Sequence, residues 1–429
     1  MGMEALDTLR HRRVFLLKLK IGHDMDEAIE GRRSVLRHLP RGIWALGFVS
    51  LLMDVSSEMI HALLPVYLVT VLGTSMVTVG FIEGIAEATA AITKIFSGAL
   101  SDRLGKRKAL AAFGYGLAAF TKPVFPLAPT VGWLIGARFV DRVGKGIRGA
   151  PRDALVADLS PPGTRGAAFG LRQSLDTVGA FVGPLLAIVL MWATANSFHA
   201  VFWWAVVPGF MALGLILFAV HEPERPETLR RVRNPLAIVE LRRLGRAYWM
   251  VVAVAAVFTL ARFSEAFLVL RAQNVGLPIA LVPAVMVVMN IVYAAAATPA
   301  GIVSDRLGRS GILFFGFGML IVADVVLALM PSFPGLAMGV AAWGLHMGLT
   351  QGLLTTMVAD TVPPELRGTA FGAFNFVSGL AMLTASIIAG ALWDGVGPAG
   401  TFLAGAAFTA VAMVGLLVVR ANQRGEKSV

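Results

Sequence analysis

Asp54 and Glu58 stand four residues apart inside one apolar stretch, with His61 three residues further on, so all three side chains share a helical face. The next stretch repeats the pattern with Glu83 and Glu87, and Lys94 follows two turns later. Further on, Arg138, Asp141, Arg142 and Lys145 recur at spacings of three and four, and Arg172 and Asp176 form an i, i+4 pair. Carboxylates set against arginines in an apolar setting can do one of two things. They can lock into permanent ion pairs that fix packing, or they can exchange partners and carry protons, because a carboxylate stripped of its cation in a dry site takes up a proton more readily. The cationic stripe of Arg138, Arg142 and Lys145 can neutralise these acids or bind an anion. His61 reads as a hydrogen-bonded histidine rather than a metal ligand, and Lys145, Arg148 and Arg152 lie where charges set topology.

The second half of the chain is poorer in charge. Arg262 and Glu265 fall within one apolar run, Asn290 and Tyr293 in the next, His346 and Gln351 in a later one, and Asn375 in the one after that. Most of these groups hydrogen-bond without titrating.

The elements that must position these residues follow from composition. With 57% hydrophobic and 15% charged residues and a mean hydropathy of +0.75, the 429-residue chain has too few polar groups to cover a soluble globule and belongs in a bilayer. A helical span needs roughly 20 mostly apolar residues. Such runs lie near 43–71, 76–100, 109–128, 130–150, 166–192, 198–220, 248–272, 279–303, 311–330, 335–359, 368–393 and 398–420. The net charge of +11 would suggest nucleic acid in a soluble protein, but its distribution argues for topology. The connections after spans two, six and eight carry Arg103, Lys106, Arg107 and Lys108, then seven arginines between Arg225 and Arg246, then Arg306 and Arg309. The connections near 72–76, 126–132, 193–198 and 330–335 contain no Lys or Arg. Basic connections stay cytoplasmic, which places both termini and the central loop inside.

Residues 1–41 hold nine Lys or Arg and no uninterrupted apolar core, so they read as a cytoplasmic tail and not a signal peptide, with Phe15-Leu16-Leu17 able to lie on an anionic membrane surface. The chain has no cysteine, which excludes disulfides, thiol catalysis and thiolate metal sites. It has no Gly-x-x-x-x-Gly-Lys-Ser/Thr loop, so ATP is not the evident energy source.

The chain also repeats itself. Gly98-Ala99-Leu100-Ser101-Asp102-Arg103-Leu104-Gly105-Lys106-Arg107 returns 203 residues later as Gly301-Ile302-Val303-Ser304-Asp305-Arg306-Leu307-Gly308-Arg309. Val156-Ala157-Asp158, Arg165-Gly166 and Ala168-Phe169-Gly170 return at an offset of 202 as Val358-Ala359-Asp360, Arg367-Gly368 and Ala370-Phe371-Gly372. Apolar bias cannot generate shared Asp and Arg positions, so the halves are duplicates.

The first of these loops resembles the Gly-x-x-x-Asp-Arg-x-Gly-Arg-Arg signature of the major facilitator superfamily, matching at Gly98, Asp102, Arg103, Gly105, Lys106 and Arg107. The second copy keeps Asp305 and Arg306 and has Ser310 at the last basic position. Arg138 occupies the buried-arginine position of the family's fourth-helix motif, with Arg142 where a glycine is usual. Gly179, Gly183 and Pro184 resemble the fifth-helix motif of the family's antiporters, although Ala187 and Ile188 replace its last two glycines.

The resemblance implies an all-α membrane protein of twelve transmembrane helices in two pseudo-symmetric six-helix halves. The expected layout is a tail at 1–41, halves at 42–220 and 248–420, a cytoplasmic linker at 221–247 and a tail at 421–429. It implies a secondary transporter of the bacterial or archaeal cytoplasmic membrane, not an enzyme. The loops around Asp102 and Asp305 would gate the cytoplasmic side. Export of a small molecule against protons is the favoured reading. Uptake by symport or uniport of a metabolite, siderophore or metal complex is the alternative, with a membrane enzyme or receptor behind it. The implied partners are a small-molecule substrate, protons and the lipid bilayer, with no nucleic acid, cofactor or metal, and the implied state is a monomer.

Overall fold

Only a helix or a closed barrel lets a chain cross hydrocarbon with its backbone groups bonded internally, and apolar runs of this length choose the helix. The computed structural model describes residues 39–104, 106–161, 164–222, 241–307, 309–362 and 367–426, and contains no strand among them. The first half comprises α1 (Arg41–His61, resuming at Leu64–Thr70), α2 (Met76–Leu104), α3 (Arg107–Thr121, extended by Val124–Leu127), α4 (Val131–Leu159), α5 (Arg165–Ala193) and α6 (Phe198–Ala219). The second comprises α7 (Arg246–Ala261, resuming at Ala266–Asn274), α8 (Ala284–Leu307, led by a 3₁₀ turn at Ile279–Leu281), α9 (Arg309–Leu329), α10 (Phe333–Asp360), α11 (Arg367–Val396) and α12 (Pro398–Glu426). Among the described residues nine of these are long and apolar enough to cross a membrane; α3, α4 and α10 complete the set. Large apolar side chains such as Phe120, Trp192 and Phe218 face outward, as a lipid-bathed surface requires.

Within the first half α1 packs on α5 and α6, and α4 on α2 and α3; within the second α7 packs on α11 and α12, and α10 on α8 and α9. The halves meet mainly along two seams, α2 with α11 and α5 with α8, with a smaller contact between the resumed segments of α1 and α7. The repeat exchanges the two seams, since α2 corresponds to α8 and α5 to α11. The α2–α11 seam is tight enough that a Cβ on Gly80 would collide with the carbonyl of Ser386, the small-residue packing by which membrane helices approach closely.

The face bearing the connections after α2, α6 and α8 is the basic face, and the other is the neutral face. On the neutral face Asp394, near the end of α11, accepts hydrogen bonds from the backbone N–H groups of Met76 (3.1 Å) and Val77 (3.0 Å) at the start of α2. A carboxylate there satisfies two of a helix's free N-terminal donors and complements its dipole. Toward the basic face, α4 and α10 form no such seam among the described residues.

The apolar runs at 43–71 and 248–272 predict unbroken helices, and both are interrupted. In α1 the break at Ala62 and Leu63 precedes Pro65, whose ring cannot continue the helix and which sits in the first turn of the resumed segment. In α7 the break spans 262–265; Ser264 Oγ accepts from the N–H of Ala266 at 3.2 Å and so satisfies one of the free donors at the start of the resumed segment. The two breaks lie at nearly repeat-equivalent positions, and the one in α7 borders the central space.

Candidate functional site

The inward face of α1 and α2 meets α4 in a run of buried ion pairs. Glu83 is fully buried and Arg138 nearly so; Arg138 Nη2 donates to Glu83 Oε2 at 2.8 Å. His61 Nε2 reaches the same oxygen at 3.1 Å, and its Nδ1 lies 3.4 Å from Glu58 Oε2. A ring with a carboxylate oxygen at each nitrogen can donate to both only as the imidazolium. His61 thus bridges Glu58 and Glu83 in a group of two acids, one arginine and one histidine.

Deeper in α4, Arg142 lies 3.3 Å from Glu87 Oε1 and 3.9 Å from Asp141 Oδ2. Asp141 in turn accepts from Lys122 Nζ at 2.9 Å, which also donates to Ser57 Oγ at 3.0 Å. Nearer the basic face a second network ties α4 to α5: Arg152 contacts Asp153 (3.1 Å) and Asp176 (3.7 Å), and Arg172 contacts the same two acids at 3.7 and 3.8 Å.

Glycines in α5 set the distance between these helices. A Cβ on Gly179 would lie 2.6 Å from Leu51 O and 3.0 Å from Asp54 Cβ; one on Gly183 would lie 2.8 Å from Glu58 Cβ and 2.9 Å from Val55 O. The Gly179/Gly183 pair therefore presses α5 onto the acid-bearing face of α1. Pro184 follows within the same helix.

Three contiguous recesses occupy the space between the halves, running from mid-depth toward the basic face. The deepest, about 170 Å³, touches Glu58, His61, Glu87, Arg142, Lys145, Arg262 and Glu265. A recess of about 290 Å³ against the first half takes in Asp54, Lys94, Lys145, Arg148, Arg152 and Asp176. One of about 230 Å³ against the second half is lined by Phe258, Arg262, Gln351, Leu354, Phe374, Asn375 and Met382. One wall is charged and the opposite wall is aromatic, aliphatic and amide-bearing.

Of the expected residues, Asp54, Glu58, Glu87, Arg142, Asp176, Arg262, Glu265, Gln351 and Asn375 line this space, while Glu83, Arg138, Asp141 and Arg172 lie behind it in the ion-pair network. Two fall elsewhere. His346 is fully buried, donates through Nδ1 to Gly316 O at 3.1 Å and packs on Phe258 and Trp343, one layer behind the wall. Asn290 Nδ2 donates to Ala180 O at 3.2 Å in the α5–α8 seam. Their positions in apolar runs matched cavity residues, but the helix faces they occupy turn toward neighbouring helices. Tyr293 lines none of the three recesses, but its side chain interacts electrostatically with Arg262 and Glu265, which do.

The loop after α2 is a bracket within the first half. Arg107 Nη1 donates to Asp158 Oδ2 (2.7 Å) and Ala154 O (3.0 Å), and Glu222 accepts from the N–H groups of Arg107 and Lys108 at 2.6 and 3.1 Å. Gly98 approaches Ala150 of α4, and Lys106 is exposed at the turn. Gly105 and the side chains of Asp102, Arg103, Asp305 and Arg306 lie outside the described residues, as does most of the 1–41 tail.

Sequence reasoning missed Lys122, Asp153 and Asp324, and underrated His61 and Lys145. Lys122 is a lone cation in an apolar run just before Pro123, a signal equal in kind to that of Glu83. Lys145, read as a topology charge, is exposed to two of the recesses.

A two-half helical bundle around a central polar cavity, with two of its helices broken, defines a membrane transporter and not an enzyme. The sequence matches the Major Facilitator Superfamily over residues 46–283 and 260–428, and the chain belongs to that family. It is 33% identical over 395 residues to the uncharacterized MFS-type transporter MJ1317 of Methanocaldococcus jannaschii, covering 89% of this chain and 96% of that one. It is 31% identical over 164 residues to the multidrug resistance protein MdtH of Photorhabdus laumondii, covering 38% of this chain and 39% of the relative. The fold superposes on the nucleoside transporter NupG with a TM-score of 0.71 at 13% identity, covering 88% of this chain and 98% of that structure.

Proposed function

We propose that the chain is a proton-coupled exporter of a small molecule, residing in the cytoplasmic membrane as a monomer with both termini and the basic face inside, and working by rocking of its two halves. The cavity reaching toward the basic face is then the inward-open state, with Asp394 closing the outer side. Asp54 and Glu58 carry the driving proton. On the inner side the Asp102 and Asp305 loops close the gate when the halves rock.

The observation that carries this reading is the Glu58–His61–Glu83–Arg138 chain. It connects a buried, arginine-bound carboxylate near the sealed face to a carboxylate that lines the open cavity, through a ring that can pass a proton between them. Proton entry supplies about 2.3 kcal/mol per elementary charge per 100 mV from the potential alone. Export is supported by the Gly179/Gly183 seam packed against Asp54 and Glu58, and by the part-length relative named for multidrug resistance.

Everted membrane vesicles energised to an acid interior and loaded with acridine orange test it. Addition of an exported compound dissipates the gradient and relieves quenching, and vesicles bearing Glu58→Gln give no such response. Compound movement without proton flux would overturn the coupling, and expulsion rather than accumulation by acid-interior vesicles would overturn the direction.

A further inference from the structure

The deep recess contains charges that have found partners and charges that have not. Glu58 faces His61, and Glu87 faces Arg142. Lys145 of α4 and Arg262 at the break in α7 enter the same recess from opposite halves, and among the described residues neither makes an ion pair or a side-chain hydrogen bond. Both are accessible: Lys145 is exposed to the cavity and Arg262 is half-buried. Glu265, three residues beyond Arg262, is the acid of this recess not already paired, and Asp54 lines the adjoining recess that Lys145 also borders. Two cations therefore face this space from opposite halves with no ion-pair partner within contact distance among the described residues.

The neighbouring surface is of another kind. Phe258, Leu354, Phe374 and Met382 give this recess an apolar wall beginning at Arg262, with Thr259, Gln351, Asn375 and Ser378 among its polar members and Glu87 facing it from the first half. Met382 and Arg262 border both the apolar and the charged recess, so a molecule filling the two would lay an apolar body on this wall and its head between Lys145 and Arg262.

We propose that the substrate is an amphipathic organic monoanion, a carboxylate on an aromatic or aliphatic body, bound by Lys145 and Arg262 together. A guanidinium presents paired donors matched to a carboxylate, and an ammonium adds a second charge from the other side. Because the two cations belong to different halves, the anion also draws the halves together around itself. A carboxylate gives both cations the contact neither finds in the protein, whereas an organic cation would face two like charges. This assignment rests on the transporter reading above but not on proton coupling or on direction.

The test is binding, measured with purified full-length protein in detergent micelles by thermal shift and intrinsic tryptophan fluorescence. The probes are phenylacetate, 3-phenylpropionate and 4-phenylbutyrate, each against the amine and the alcohol of the same skeleton. The expected result is stabilisation by the carboxylates that grows with the apolar body, with at least a tenfold weaker response to the matched amines and alcohols. Arg262→Gln and Lys145→Gln should each reduce carboxylate binding at least tenfold, and Arg262→Lys should restore part of it, which separates recognition from folding. Equal or stronger stabilisation by the amines, no stabilisation by any carboxylate, or unchanged carboxylate binding in both Gln variants overturns the proposal. Loss of proton coupling in the vesicle assay with carboxylate binding intact would defeat the function reading and leave this one standing.

Discussion

Arg138 and Glu83, behind the cavity, form the most deeply buried ion pair among the described residues, 2.8 Å apart with His61 sharing the carboxylate oxygen. Removing one member of such a pair leaves a charge with no partner in a dry site, which costs about 3–5 kcal/mol, whereas removing both costs much less. Arg138→Met should therefore lower the unfolding temperature in micelles sharply. Adding Glu83→Gln to it should recover stability, because Glu58 and His61 then balance each other. A double variant as unstable as the sum of the singles would mean the pair is not the unit described.

Gly183 lies where a Cβ would come within 2.8 Å of Glu58 Cβ and 2.9 Å of a backbone carbonyl of α1. Overpacking of this kind costs about 1–3 kcal/mol. Gly183→Ala should destabilise by that order and impair transport by displacing α5 from the acids. Gly136→Ala, at a glycine with open space around it, should do neither. Thermal unfolding of the two variants side by side decides the matter.

Asp394 joins the halves through two backbone N–H groups of α2. A helix-capping carboxylate contributes about 0.5–2 kcal/mol, enough to shift a two-state equilibrium several-fold. Asp394→Ala should raise the outward-open fraction. Spin labels at Val71→Cys and Val396→Cys, both exposed on the neutral face, read it as growth of the longer distance; the cysteine-free sequence makes the labelling selective.

Asp324 in α9 is fully buried and neither of its carboxylate oxygens has a hydrogen-bond partner; Gly405 of α12 lies against it. An unsatisfied buried polar group costs about 1–3 kcal/mol. Asp324→Leu, similar in size, should raise the unfolding temperature with transport retained. A fall in either would show that this carboxyl finds a partner in another conformation.

Much of this was legible in the sequence because membrane burial makes rare residues conspicuous. Asp54, Glu58, Glu87 and Arg142 stood out against apolar neighbours, and their spacing placed them on inward faces. The duplication anticipated two halves, but which helices meet between them, α2 with α11 and α5 with α8, came only from the structure. Partner choice was not legible. Arg138 was a natural mate for Asp54 or Glu58, and it binds Glu83; pairing depends on helix rotation and depth, which spacing along one helix does not specify. Helical periodicity likewise cannot tell a cavity face from a packed one, and so His346 and Asn290 were grouped with the cavity. The breaks in α1 and α7 escaped notice because both lie within apolar runs, and in α7 no proline marks the place.

The central claim is that protonation of Asp54 and Glu58 drives the exchange between inward- and outward-open states. It is tested most directly by electron–electron distance measurements between spin labels at Arg165→Cys, in the first half, and Thr361→Cys, in the second, with the protein in nanodiscs across a titration from alkaline to acidic buffer. The account predicts two distance populations whose ratio changes with pH, and a ratio that no longer responds in the Asp54→Asn/Glu58→Gln protein. A single pH-independent distance, or a full pH response in that double variant, would contradict it.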